Sequence, residues 1–161
     1  MVIRSPARTA GVLTLSALTL WLLAGLVQTM LLREGWNMMF AVPLTSTVPL
    51  GGGPQPIVMA LVLTVVFLAV LYPLLRVVVR GSATAGSVFL GVCGTTFLAL
   101  AAAAAAYVPL SILVLWLPTF HLSQQWPGII GTRMLVGLWL GPLLGVLAAL
   151  QMRRARAGVP T

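Results

Sequence analysis

One acidic side chain, Glu34, stands in a chain of 161 residues that carries nine arginines and neither lysine nor aspartate. General acid–base catalysis and glycoside hydrolysis rely on positioned proton-transfer groups, commonly a pair of carboxylates, and a single carboxylate cannot form a pair. A serine triad would have to bring His121, the only histidine, and Glu34 to one serine. The Gly-rich stretch "GGGPQP" at 51–56 lacks the lysine and the following Ser/Thr of a phosphate loop, and its prolines suit a turn. Cys93, the single cysteine, can form neither an internal disulfide nor a Cys-rich metal site. His121 alone cannot supply both axial ligands of a b-type haem. Enzyme activity and a bound cofactor are therefore not expected.

Soft-metal ligands give a second chemistry to weigh. Thioethers and an imidazole suit Cu(I), and Met38, Met39 and His121 are the residues such a site would use. No Met-x-x-Met series occurs, and methionine is an ordinary gap-filler in apolar surroundings. The expectation is no bound metal.

Glu34 directly follows Arg33, but adjacent residues of a helix point about 100° apart, which makes Arg33 a poor partner. Arg133 precedes another apolar run where a helix dipole disfavours positive charge. An outer-rim ion pair of Glu34 with Arg133 is one expectation; the alternative is that both are solvated among lipid headgroups.

The elements that must position these residues follow from composition. Hydrophobic residues make up 60% of the chain and charged residues 6%, against roughly 25% charged in a soluble domain. A fold with so few charges would present a mostly apolar surface, stable only where lipid is the solvent. The formal charge of +8 does not indicate nucleic acid, because the arginines sit at the edges of apolar runs instead of in a basic stripe with interleaved aromatics. A bilayer core about 30 Å thick needs about 20 apolar residues. Four runs meet this length: 11–32, 57–79, 87–109 and 134–151. Apolar sequence continues past the third run, so Pro109 predicts a kink or break, with 110–126 either spanning or lying along the interface near Trp116 and Trp126. The fold expected is an all-α integral membrane bundle of four spans in a single domain, 1–161, with a Pro-kinked extension after the third.

The first run resembles a secretion signal in its basic flank, Arg4 and Arg8, but is longer than the usual apolar region and no Ala-x-Ala site follows. It is read as a retained helix. With four spans, Arg4, Arg8, Arg76, Arg80, Arg153, Arg154 and Arg156 fall on one side and Arg33 and Arg133 on the other. The positive-inside rule then puts both termini in the cytoplasm. Arginine without lysine, beside abundant Ala, Gly and Val, suggests a GC-rich bacterial gene and hence a bacterial plasma membrane. Two outer loops are expected, 35–56 and 118–132, the second holding His121.

The fourth run contains the clearest internal pattern. Gly137, Gly141 and Gly145 recur every four residues, Ala149 extends the series, and residues so spaced share a helix face. Such faces let backbones approach closely, which is how helices gain contacts in lipid. The third run offers Gly91, Thr95, Ala99 and Ala103 as a matching face. Either the two spans pack on one another, or the glycines form a seam between subunits. No ionisable residue lies near mid-membrane, which argues against an ion-coupled transporter. The functional expectation is a non-catalytic accessory or packing subunit of a larger membrane assembly. The alternative is a homo-oligomeric channel or small-solute transporter built on the glycine seam.

Overall fold

In the computed structural model the described residues are 6–33, 54–115 and 119–157, and all of them except the link 82–84 are α-helical. Four helices follow in order: α1 Pro6–Arg33, α2 Pro54–Gly81, α3 Ala85–Leu115 and α4 Thr119–Ala157. Each contains a stretch long and apolar enough to cross a bilayer: Pro6–Ala24, Leu61–Gly81, Ala85–Tyr107 and Leu135–Arg154. The chain is an all-α, multi-pass membrane protein.

The helix ends have local causes. Pro6 and Pro54 occupy first helical positions, where the missing N–H is no loss and the fixed φ suits the turn. The start of α3 is a reciprocal cap: the Ser87 N–H donates to Thr84 Oγ1 and the Thr84 N–H donates to Ser87 Oγ, both at 3.1 Å. This has the geometry of a capping box, with serine standing where Glu or Gln is usual. At the end of α2, Ser82 donates to the Val78 carbonyl at 3.0 Å and closes the last turn.

Of the kink or break expected at Pro109, the break does not occur: the helix continues to Leu115. Proline forfeits one backbone hydrogen bond, whereas ending a helix in an apolar medium would unpair several. The segment 118–132, expected as an outer loop, is helical from Thr119 onward. Gly128 and Pro127 read locally as breakers, yet they sit inside an element that is 39 residues long. Leu, Gln and His are compatible with a helix; a glycine costs about 1 kcal/mol and a proline about 3 kcal/mol in a helix interior, and the backbone hydrogen bonds of the rest of the element outweigh both. The other expected outer loop, 35–56, lies outside the described residues up to the start of α2.

The helices close a ring. Each packs on its sequence neighbours and α1 also meets α4, while the backbones of the diagonal pairs α1–α3 and α2–α4 do not come within 8 Å of one another, Cα to Cα, among the described residues. The α3–α4 interface is the most extensive and the α1–α4 interface the least. Residues 89, 93 and 97 of α3 face 145, 141 and 137 of α4, so these helices run antiparallel; successive membrane crossings alternate direction by necessity. Leu13, Trp21, Phe67, Leu71, Leu140 and Leu144 are fully buried in one apolar core. Trp21 stacks on Phe67 with ring centroids 5.0 Å apart and planes 17° from parallel, a pairing that adds about 0.5–1.5 kcal/mol beyond its area.

Candidate functional site

The glycine series of α4 lies against α3. A methyl group built on Gly137 would stand 2.6 Å from Cε1 of Phe97, and one on Gly145 would stand 2.7 Å from Cδ2 of Phe89 and 3.1 Å from the Phe89 carbonyl oxygen. Gly141 faces the backbone itself, with Cys93 Cα 3.4 Å from the position of such a methyl. Two phenylalanine rings therefore fill the notches at Gly137 and Gly145, and the two backbones close on one another at Gly141. All three glycines are buried, and Ala149 at the end of the series is half-buried. A surface filled within one chain is not available to a second copy. Of the two expectations for these glycines, packing of the fourth span on the third is the one they meet.

The partner face differs from the one anticipated. Gly91 turns toward α2, where an added methyl would stand 2.5 Å from Cγ1 of Val78. Ala99, Ala103 and Thr95 are buried in the bundle, but the residues opposite the α4 glycines are Phe89, Cys93 and Phe97. Large rings into glycine notches replace small residues facing small residues. The i, i+4 spacing of Phe89, Cys93 and Phe97 was a signal in the sequence, though one that pointed equally to a lipid-facing stripe.

Polar chemistry inside the bundle is limited, among the described residues, to hydroxyls. Among the described residues, the buried polar side chains are Thr64, Thr95 and Thr96. Thr95 and Thr96 both donate to the Val92 carbonyl, at 3.0 and 2.8 Å, and Thr14 donates to the Ala10 carbonyl at 2.8 Å. A hydroxyl tied to its own helix presents little polarity to its neighbours.

The charges collect at one end. The Trp21–Phe67 stack places those residues at one level, and Arg8 and Arg80 each lie thirteen residues from it, or about 20 Å along their helices. Arg76 on α2 and Arg153 and Arg154 on α4 belong to the same end, and all five side chains are exposed. On α2 they continue an outward stripe of Leu61, Val65, Ala69 and Tyr72. Glu34, the one acid of the chain, follows α1 in sequence.

An open groove of about 380 Å³ runs between α1 and α4, lined by Val12, Leu15, Ser16, Thr19, Leu20 and Leu147. Thr19 donates to the Leu15 carbonyl at 3.0 Å, so its hydroxyl proton is engaged within its own helix. Nothing in sequence spacing predicts this feature, because it arises where two helices far apart in the sequence approach one another.

Glu34, Met38 and Met39 lie outside the described residues. Arg133 and His121 lie on the α4 backbone, with side chains outside the description. No family model, no curated protein and no solved structure matches the chain.

Proposed function

We propose that this protein is a non-catalytic accessory subunit that packs within a larger assembly of a bacterial plasma membrane, with both termini in the cytoplasm. The observation that carries the reading is the bundle interior: apolar side chains and threonines, two of which bond back to one carbonyl, occupy the described core. The scarcity of acids, bases and nucleophiles in the sequence supports a structural task over a chemical one. The arginine bias toward one end supports the orientation through the positive-inside rule. Broad lipid-facing surfaces on all four helices leave room for neighbouring spans.

Purification in a mild detergent tests the assignment. A distinct membrane polypeptide recovered in fixed ratio is the expected result. A uniform homo-oligomer with solute flux in vesicles would replace the accessory role with the channel reading.

A further inference from the structure

We propose that the groove between α1 and α4 is a binding site for one anionic phospholipid, its acyl chain lying along the groove and its phosphate held between Arg8 and Arg154. The proposal rests on the membrane location of the bundle and is independent of whether the protein has a partner subunit.

The register of the two helices brings the parts together. On α1, Arg8 lies on the same face as Val12, Leu15, Ser16 and Thr19, since offsets of four, seven, eight and eleven residues return to one side of a helix. On α4, Arg154 lies two turns beyond Leu147 on its face. The helices are antiparallel, so moving toward the arginine-rich end means descending in number on α1 and ascending on α4. From the groove centre at Ser16, Arg8 is about 12 Å away along the axis, and from Leu147, Arg154 is about 10 Å away. Both arginines therefore lie toward the arginine-rich end of the groove, Arg154 the farther out. Both side chains are exposed, and each reaches headgroup depth with its aliphatic stem along the apolar surface.

Charge decides the class of headgroup. Five exposed arginines occupy this end, and no described residue carries an acidic side chain. Among the described residues nothing neutralises them, which leaves them open to an anion from the membrane. Guanidinium pairs with phosphate bidentately, and a net-negative headgroup such as phosphatidylglycerol leaves that attraction undiminished, whereas the choline of a zwitterionic lipid offsets part of it. The volume of the groove, about 380 Å³, lies in the range of clefts that hold small ligands. Its lining is apolar apart from Ser16 and the self-bonded Thr19, which suits an acyl chain and not a sugar or a nucleotide.

The test uses the whole protein reconstituted in vesicles of three parts phosphatidylcholine to one part phosphatidylglycerol. It is then re-extracted in a mild non-ionic detergent, and the retained lipid is quantified by mass spectrometry. One arginine near an anionic surface is worth about fivefold in binding, so phosphatidylglycerol is expected at no less than about fivefold above its input ratio. The double variant Arg8→Gln with Arg154→Gln is expected to return the ratio to input. Arg76→Gln with Arg80→Gln, equal in charge lost but on the far side of α2, is expected to keep most of the enrichment. Thr19→Phe, which fills the groove without touching charge, is expected to lower the lipid retained per protein. Retention at the input ratio by the parent overturns the proposal. Equal losses in the two arginine pairs overturn it too, showing a diffuse rim and no site. A photo-crosslinker at Leu15 that captures a polypeptide in place of lipid would assign the groove to a protein partner and sink the lipid.

Discussion

The close approach of α4 to α3 makes a graded prediction about four glycines. Replacing a helical glycine by alanine removes backbone freedom from the unfolded chain and is worth roughly 0.5–1 kcal/mol where space is open. Gly94 of α3 has nothing within 4 Å of an added methyl, so Gly94→Ala should collect that gain and serves as the reference. At Gly141 the nearest atom is Cys93 Cα at 3.4 Å, ordinary van der Waals contact, and Gly141→Ala should be neutral or mildly stabilising. Gly141→Leu cannot be, because its branch would have to enter the α3 backbone. At Gly137 the methyl falls 2.6 Å from the Phe97 ring edge, and at Gly145 it falls 2.7 Å from the Phe89 ring and 3.1 Å from a carbonyl oxygen. Overpacking of this kind costs typically 1–3 kcal/mol, which outweighs the propensity gain and leaves a net loss of about 1–2 kcal/mol. Gly145→Ala should lose more than Gly137→Ala, since a ring can rotate aside and a backbone carbonyl cannot. Thermal stability in detergent, followed by fluorescence-detected gel filtration, should rank the alanine variants Gly94, Gly141, Gly137, Gly145 from most to least stable. Roughly 2–4 °C per kcal/mol is the expected spacing for a chain of this size. The cause can be separated from mere loss of glycine: Gly137→Ala combined with Phe97→Leu should recover part of the combined single losses, because the side chain that clashes has been shortened. If Gly145→Ala melts as high as Gly94→Ala, the helices do not approach as described, and the packing argument fails.

Two further expectations concern the opposite rim and the orientation. Exchanging the charges of Glu34 and Arg133 probes their pairing: Glu34→Arg and Arg133→Glu should each cost up to about 1 kcal/mol, and the double exchange should restore the loss, whereas a double variant equal to the sum of the singles would mean that the two residues do not interact. In a Cys93→Ala background, a cysteine placed at Gly52 should react with a membrane-impermeant maleimide on intact cells; reaction only after the membrane is opened would reverse the assigned orientation and put the arginine-rich end outside.

Much of the architecture was legible from composition and length. Four apolar runs of bilayer length predict four helices, because an unpaired backbone group in lipid is too costly for any other spanning form at this size. The arginines at the run ends likewise predict a charge-rich end, and antiparallel crossings put Arg8, Arg80 and Arg154 there together. Local breaker signals were less informative: Pro109, Pro127 and Gly128 lie within helices, since tertiary packing and an apolar medium outweigh single-residue preferences. The i, i+4 glycines of α4 could be placed on one face from spacing alone, but spacing does not say which neighbour that face meets. In a soluble helix the apolar stripe would answer, because one side meets water. In α3 and α4 the outward residues, such as Leu90, Leu98, Leu138 and Leu143, are as apolar as the inward ones, so periodicity carries no signal for inside. Only the assembled bundle decided that Gly91 turns to Val78 of α2, that Phe89 and Phe97 enter the notches at Gly145 and Gly137, and that α1 and α4 leave a groove beneath Arg8 and Arg154. Shape complementarity between helix surfaces made those choices, and it exists only once the helices are side by side.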